Sequence, residues 1–120
     1  MTTPLAAEAL TPCRKGMATL TRSELGVVLN ELPAWEVVQL HDETQLQRVY
    51  PFRNFTAALT FTNAVGAIAE AADHHPAITV EWGKVSVRWW THVIAGLHRN
   101  DCIMAARTDA CYRQQPGVSA

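Results

Sequence analysis

Residues 84–92, Lys-Val-Ser-Val-Arg-Trp-Trp-Thr-His, carry a two-residue rhythm that few structures can satisfy. Successive side chains of a strand project to opposite faces, so Val85, Val87, Trp89 and Thr91 share one face and Ser86, Arg88, Trp90 and His92 the other. A strand of this kind needs partner strands and one covered face, because it is apolar on one side only. The partner is adjacent in sequence. Ile78 and Val80 alternate with Thr79 and Glu81, and Glu81-Trp82-Gly83-Lys84 supplies a glycine-containing turn, which predicts an antiparallel hairpin folding at Trp82–Gly83.

A second hairpin is predicted upstream, where "AWEVVQL" and "QLQRVYPF" are rich in β-branched and aromatic residues and are separated by polar "HDET". Helical patterns flank both hairpins. Thr21 followed three residues later by Glu24 is a capping box, with Leu25, Val28, Leu29 and Leu32 on one face until Pro33 ends the helix. Asn54 caps a second helix running to about Ala72, in which Phe55, Ala58, Leu59, Thr62, Val65, Ile68 and Ala69 recur at spacings of three and four. Gly96 breaks the chain before a last helix near "RNDCIMAARTDACYR", with Asn100 and Asp101 at its positive end. The order α-β-β-α-β-β-α predicts an α+β fold, a four-stranded antiparallel sheet with three helices on one face.

A chain of 120 residues, 48% hydrophobic, suffices for one core. The expected organisation is a flexible N-terminal segment over residues 1–20, one domain over 21–113, and a loose tail over 114–120. Ten basic against eleven acidic side chains leave a formal charge of -1, so a nucleic-acid partner is not expected, even for the Arg88-Trp89-Trp90 run. The four tryptophans, Trp35, Trp82, Trp89 and Trp90, read as core or interface mass ahead of stacking surfaces. The opening residues lack a cationic start before an apolar run, and no segment reaches the ~20 apolar residues of a membrane helix. Three cysteines, Cys13, Cys102 and Cys111, form no Cys-x-x-Cys pair, which argues against a disulfide scaffold or zinc ribbon. A cytoplasmic location is the expectation. The alanines of the second helix suit close packing against a second copy, so an oligomer is expected.

Chemistry concentrates at Ala72-Asp73-His74-His75-Pro76, where two of the five histidines stand together before a proline. A helix ending near Ala72 places Glu70 within reach of His74, four residues on, to orient its ring. His75 is held extended by Pro76. The hairpin that turns at Trp82–Gly83 returns His92 to the pair, and Asp101 opens the next helix nearby. Three readings stay open on the residues alone: structurally hydrogen-bonded or solvated histidines, a metal site, and acid–base catalysis. His41 and His98 fall in the first class. Adjacent histidines seldom both reach one ion, and no cysteine supports them, so a metal is not expected. An imidazole of ordinary pKa near ~6.5 serves as acid or base at neutral pH. Nucleophilic cysteine chemistry is weaker, because Cys102 and Cys111 lie where a helix would bury them.

The spacing Glu70-x-x-x-His74-His75-Pro76, then Trp82, Thr91-His92, Gly96-Leu97 and Asp101, resembles the pterin-4a-carbinolamine dehydratase family, in its bacterial branch, from about Leu20 to Tyr112. Two departures stand out: His98 occupies a position where Ser or Thr commonly caps the last helix, and Ile78 one that is often aromatic. The resemblance implies a lyase that removes water from a 4a-hydroxytetrahydropterin, giving the quinonoid dihydropterin recycled for an aromatic amino-acid hydroxylase such as phenylalanine hydroxylase. It implies no cofactor or metal, and dimers or tetramers of the same α+β fold. It assigns His74 and His92 as acids facing the 4a-hydroxyl and His75 as binding residue and base. Glu70 would orient His74, Asp101 would support His92, and backbone groups near Asp73 and Trp90–Thr91 would meet the pterin edge. The family also implies an alternative, since relatives serve as a dimerisation cofactor for a transcription factor or as an assembly chaperone.

Overall fold

Thr21 begins the first helix by a reciprocal cap. Its hydroxyl accepts the Glu24 N–H (3.1 Å) while the Glu24 carboxylate accepts the Thr21 N–H (2.8 Å), satisfying two amides that a helix start leaves without partners. The structure, a computed structural model, describes residues 4–12 and 16–116. The helices are α1 (Arg22–Leu29), α2 (Phe55–Ala72) and α3 (Arg99–Arg113), and the strands β1 (Glu36–Leu40), β2 (Glu43–Pro51), β3 (Ala77–Glu81) and β4 (Lys84–Trp89). One antiparallel sheet has the order β1-β2-β4-β3, so the element order and fold class are those expected from the pattern.

The first hairpin is tighter than the polar "HDET" stretch indicated. Leu40 pairs with Glu43, and the two-residue turn places His41 (φ 51°) and Asp42 (φ 63°) in the left-handed region, as a type I′ hairpin requires. Glu43 and Thr44 therefore belong to β2 and not to a loop. The second hairpin turns at Trp82–Gly83, with Glu81 paired to Lys84, as predicted.

The alternation of β4 is realised. Val85, Val87 and Trp89 are fully buried against Ala58, Phe61, Val65 and Ala69 of α2 and Ile103 and Ala105 of α3, and α1 adds Val28. Full burial of each such aliphatic side chain is worth about 1.5–3 kcal/mol. Trp35 and Trp89 are core residues, Trp90 is half-buried, and Trp82 stands exposed at the hairpin tip, outside the core.

The N-terminal segment differs from the loose stretch expected over residues 1–20. Residues Leu5–Ala7 form a 3-10 turn with Leu5 buried, and Arg107 of α3 donates to the Ala6 carbonyl (3.0 Å) and the Glu8 carbonyl (2.8 Å). Arg99 pairs with the Glu8 carboxylate through two bonds of 2.7 Å. The reason is tertiary: α3 offers two guanidinium groups that local composition does not reveal. At the other end Gln115 donates its N–H to the Tyr112 carbonyl (3.0 Å), extending the turn beyond α3. Residues 1–3, Cys13 and its two successors, and 117–120 lie outside the described residues.

Candidate active site

α2 ends on a left-handed residue. Asp73 (φ 50°, ψ 43°) donates its N–H to the Glu70 carbonyl, and His74 donates its N–H to the Ala69 carbonyl, the pair of bonds that closes a helix in a Schellman motif. This reversal decides where the histidines go. Glu70 does not meet His74; its carboxylate lies 2.5 Å from His75 Nε2, and His74 turns inward, its Nε2 2.7 Å from Asp101 Oδ1. The expectation that Glu70 orients His74 is thereby corrected, because the helical i, i+4 geometry stops at Ala72.

Asp101 lies beneath His74 with its side chain fully buried. Its Oδ2 accepts the Thr91 hydroxyl (2.7 Å) and the His98 N–H (2.9 Å), so both oxygens are engaged. It supports His74 and Thr91 and not, as expected, the His92 side. His98 caps α3, its Nδ1 accepting the Asn100 N–H (3.1 Å), so an imidazole does the work of the hydroxyl common at that position. The His74 ring also stacks on Trp89 at 5.7 Å with 9° between planes, and the Trp89 indole N–H is held by Thr108 (3.0 Å). His74 is thus fixed from below and from one side.

His92 has a different carboxylate. β4 stops at Trp89, where it pairs with Leu46; Thr91 then bridges to Gly96 and His92 opens a 3-10 turn (His92–Ile94) that returns beside the start of β2, with the Thr44 N–H on the Ala95 carbonyl. Glu43 Oε2 lies 3.1 Å from His92 Nδ1 and accepts the Trp90 indole N–H at 3.1 Å. Glu43 was not among the predicted site residues. No local pattern announces it, because the contact forms past the end of β4, where His92 has entered a 3-10 turn.

His74, His75 and His92 therefore sit at one rim of the sheet, each paired with a carboxylate from another position: Asp101, Glu70 and Glu43. The side chains differ in exposure, 15% for His74, 54% for His75 and 85% for His92. In each pair one ring nitrogen is committed to the carboxylate, which sets the tautomer and leaves the other nitrogen to accept or donate. His74 lines a pocket of about 440 Å³ together with Ala72, Asp73 and Asn100, and the N-terminal residues Leu10, Thr11 and Pro12 also line it. His75 and His92 stand outside that lining. Thr91 gives its backbone N–H to the Gly96 carbonyl (2.9 Å), and its carbonyl accepts from Ile94 and Gly96, so the expected contact of its backbone with a ligand edge is already spent within the chain. Gly96 brings the chain close to Thr19, since a Cβ there would lie 2.7 Å from Thr19 Cγ2 and move that side chain aside.

Burial pushes the Cys102 thiol up to about 12, with the Asp101 charge adding to the effect, so it stays protonated at neutral pH and is no nucleophile. Among the described residues no three His, Cys, Asp or Glu side chains form a group that could hold a metal ion, and no helix is long and apolar enough to cross a membrane.

The fold and rim define an α+β protein with carboxylate-oriented imidazoles at one end of its sheet. Residues 18–111 match the pterin 4 alpha carbinolamine dehydratase family, and the chain belongs to it. A protein of Microcystis aeruginosa, provisionally named pterin-4-alpha-carbinolamine dehydratase, is 48% identical over 113 residues, covering 94% of this chain and 97% of its own. A relative from Syntrophotalea carbinolica with the same provisional name is 52% identical over 98 residues, covering 82% of this chain and 88% of its own. Among solved structures, a transcriptional coactivator/pterin dehydratase from Brucella melitensis superposes with a TM-score of 0.70 at 29% identity, over 78% of this chain and 98% of that one. A pterin dehydratase-like protein identified as a RuBisCO assembly factor shares the fold, with a TM-score of 0.56 at 22% identity over 72% of this chain and 93% of that one.

Proposed function

We propose that the protein is a hydro-lyase that dehydrates 4a-hydroxytetrahydropterin to the quinonoid dihydropterin. The observation that carries this reading is the set of three imidazoles, each held by its own carboxylate, at one rim. The reaction breaks the C4a–O bond and the N5–H bond. A protonated imidazole gives its proton to the departing hydroxyl, which leaves as water, and a neutral imidazole takes the N5 proton, so no net proton is consumed. His74 and His92 act as the acids and His75 as the base and binding residue. Asp101, Glu70 and Glu43 are positioning residues that act through the rings. Asp101, fully buried with both oxygens engaged, has no route to substrate except through His74. Asp73 and the Trp90 edge supply substrate contacts, and Thr91 acts through Asp101. The substrate is the product of a pterin-dependent aromatic amino-acid hydroxylase, which is the functional partner this reading requires.

His74 follows α2 and His92 follows β4, so a flat pterin between them presents one face to each. The test is the decay of each 4a-epimer with and without protein. General acid–base groups contribute about 10²- to 10⁴-fold each, so His74→Ala and His92→Ala should each slow one epimer by that order, and the double variant both. His75→Ala should slow both epimers. Glu43→Gln should act on the epimer that depends on His92 and spare the other. His41→Ala, in the hairpin turn, should be silent. Equal losses for both epimers in both single variants would refute the two-face arrangement. A wild-type protein that does not accelerate the decay would leave the binding-protein alternative in its place.

A further inference from the structure

The family match begins at residue 18, yet the pocket beside His74 is lined in part by residues well before it, Leu10, Thr11 and Pro12. Their position is fastened from α3. Asn100 accepts the Thr11 N–H at Oδ1 (2.9 Å) and donates from Nδ2 to the Thr11 carbonyl (2.5 Å), gripping both polar groups of one peptide residue. Asn100 is buried, and its successor in the chain, Asp101, is the residue that holds His74. One turn of helix therefore holds the N-terminal segment and the imidazole in fixed register, with the pocket shared between them. Two further anchors, Arg99 to Glu8 and Arg107 to Ala6 and Glu8, secure the segment away from the pocket.

From this arrangement we infer that residues 10–12 form a substrate-contacting wall of the active site, a binding element contributed by the N-terminal strap. The inference rests on the dehydratase reading of His74. Pockets that take flat heterocycles combine apolar surface for the ring faces with a few placed polar groups for the edge. Leu10, Pro12 and Ala72 provide the first here, and Asp73 and His74 the second. The strap does not transfer a proton; it contributes binding that is alike in ground and transition states.

The test uses the full-length protein and two kinds of variant. Leu10→Ala alters the wall, and Arg107→Ala loosens the strap without touching the pocket lining. Binding of a dihydropterin that lacks the 4a-hydroxyl is measured by calorimetry, alongside kcat and KM for dehydration. Loss of uniform binding raises KM at constant kcat, so both variants should weaken dihydropterin binding and raise KM by about 5- to 10-fold with kcat within about twofold. Unchanged dihydropterin affinity in both variants overturns the wall and leaves the dehydratase reading intact. Should Arg107→Ala fail to fold, Arg99→Ala, which releases Glu8 outside the pocket lining, replaces it with the same expectations. A wild-type protein that neither binds the dihydropterin nor accelerates dehydration removes both the reading and the inference.

Discussion

Asp73 occupies a conformation in which glycine is the usual residue, with φ 50° at the end of α2. An aspartate tolerates the left-handed region better than most side chains but still pays for its Cβ there. The same residue lines the pocket beside His74, and the proposed dehydratase reading gives its side chain a substrate contact that glycine would lack. Asp73→Gly should raise the thermal midpoint, by up to about 1 kcal/mol of stability, while weakening dihydropterin affinity and raising KM. Calorimetric melting together with steady-state kinetics separates the two effects. A stabilised variant with unchanged KM would remove Asp73 from the substrate contacts. His41, also left-handed at φ 51°, sits in the first hairpin turn and is exposed, and His98 is a helix cap; both belong to the structural class to which the sequence pattern assigned them.

Among the elements, α3 ties the fold together. At its N-terminal end Asp101 holds His74; two turns on, Asp109 accepts the Trp35 indole N–H (3.0 Å), an Arg48 guanidinium N–H (2.7 Å) and the Tyr50 hydroxyl (2.6 Å). Burial foremost, and then the Asp109 charge, keeps the Tyr50 phenol protonated far above its usual range. Arg48 lies 4.3 Å from the Tyr50 ring centroid, so the cation also covers an aromatic face. Asp109→Ala would leave three donors, Trp35 and the β2 residues Arg48 and Tyr50, without their acceptor. Removing one partner of a buried pair costs about 3–5 kcal/mol, and urea denaturation should show a loss of that size. The site lies eight residues away along α3, roughly 12 Å, so the dehydratase rate per folded molecule should persist. A loss below about 1 kcal/mol would show that water replaces the carboxylate at little cost.

At the scale of the whole molecule, the outer side of α2 remains uncovered. Phe55 is 44% and Leu59 41% exposed on a helix whose exposed positions also include the small residues Thr56, Thr60 and Ala67. Exposed apolar side chains among small residues allow close helix packing, and a second copy of the chain is the proposed occupant. Sedimentation at micromolar concentration should show a dimer or tetramer, and Leu59→Glu should shift the population towards smaller species. A wild-type monomer that catalyses at full rate would end this proposal.

Local signals determined most of the elements. Caps at Thr21 and Asn54, the two-residue alternation as far as Trp89 and the turn at Trp82–Gly83 each act within a few residues, and each appears where the pattern put it; beyond Trp89 the expected strand gives way to a 3-10 turn at His92–Ile94. The candidate histidines were legible for the same reason: His74 and His75 mark a helix end, and the second hairpin has to bring His92 back. Their partners were not. His74 meets Asp101 twenty-seven residues away because a left-handed residue at Asp73 ends the helical geometry that would have offered Glu70. Glu43 opens β2 directly after the two-residue turn and meets His92 past the end of β4, where the chain has left the strand for a 3-10 turn. The N-terminal segment, rich in Thr, Pro and Ala and without periodicity, joins the pocket because buried Asn100 together with Arg99 and Arg107 of α3 grips its backbone and Glu8, an interaction between parts of the chain some ninety residues apart. Short-range sterics and hydrogen bonds are written in neighbouring residues. Which carboxylate holds which imidazole depends on how whole elements pack, and only the tertiary structure decides it.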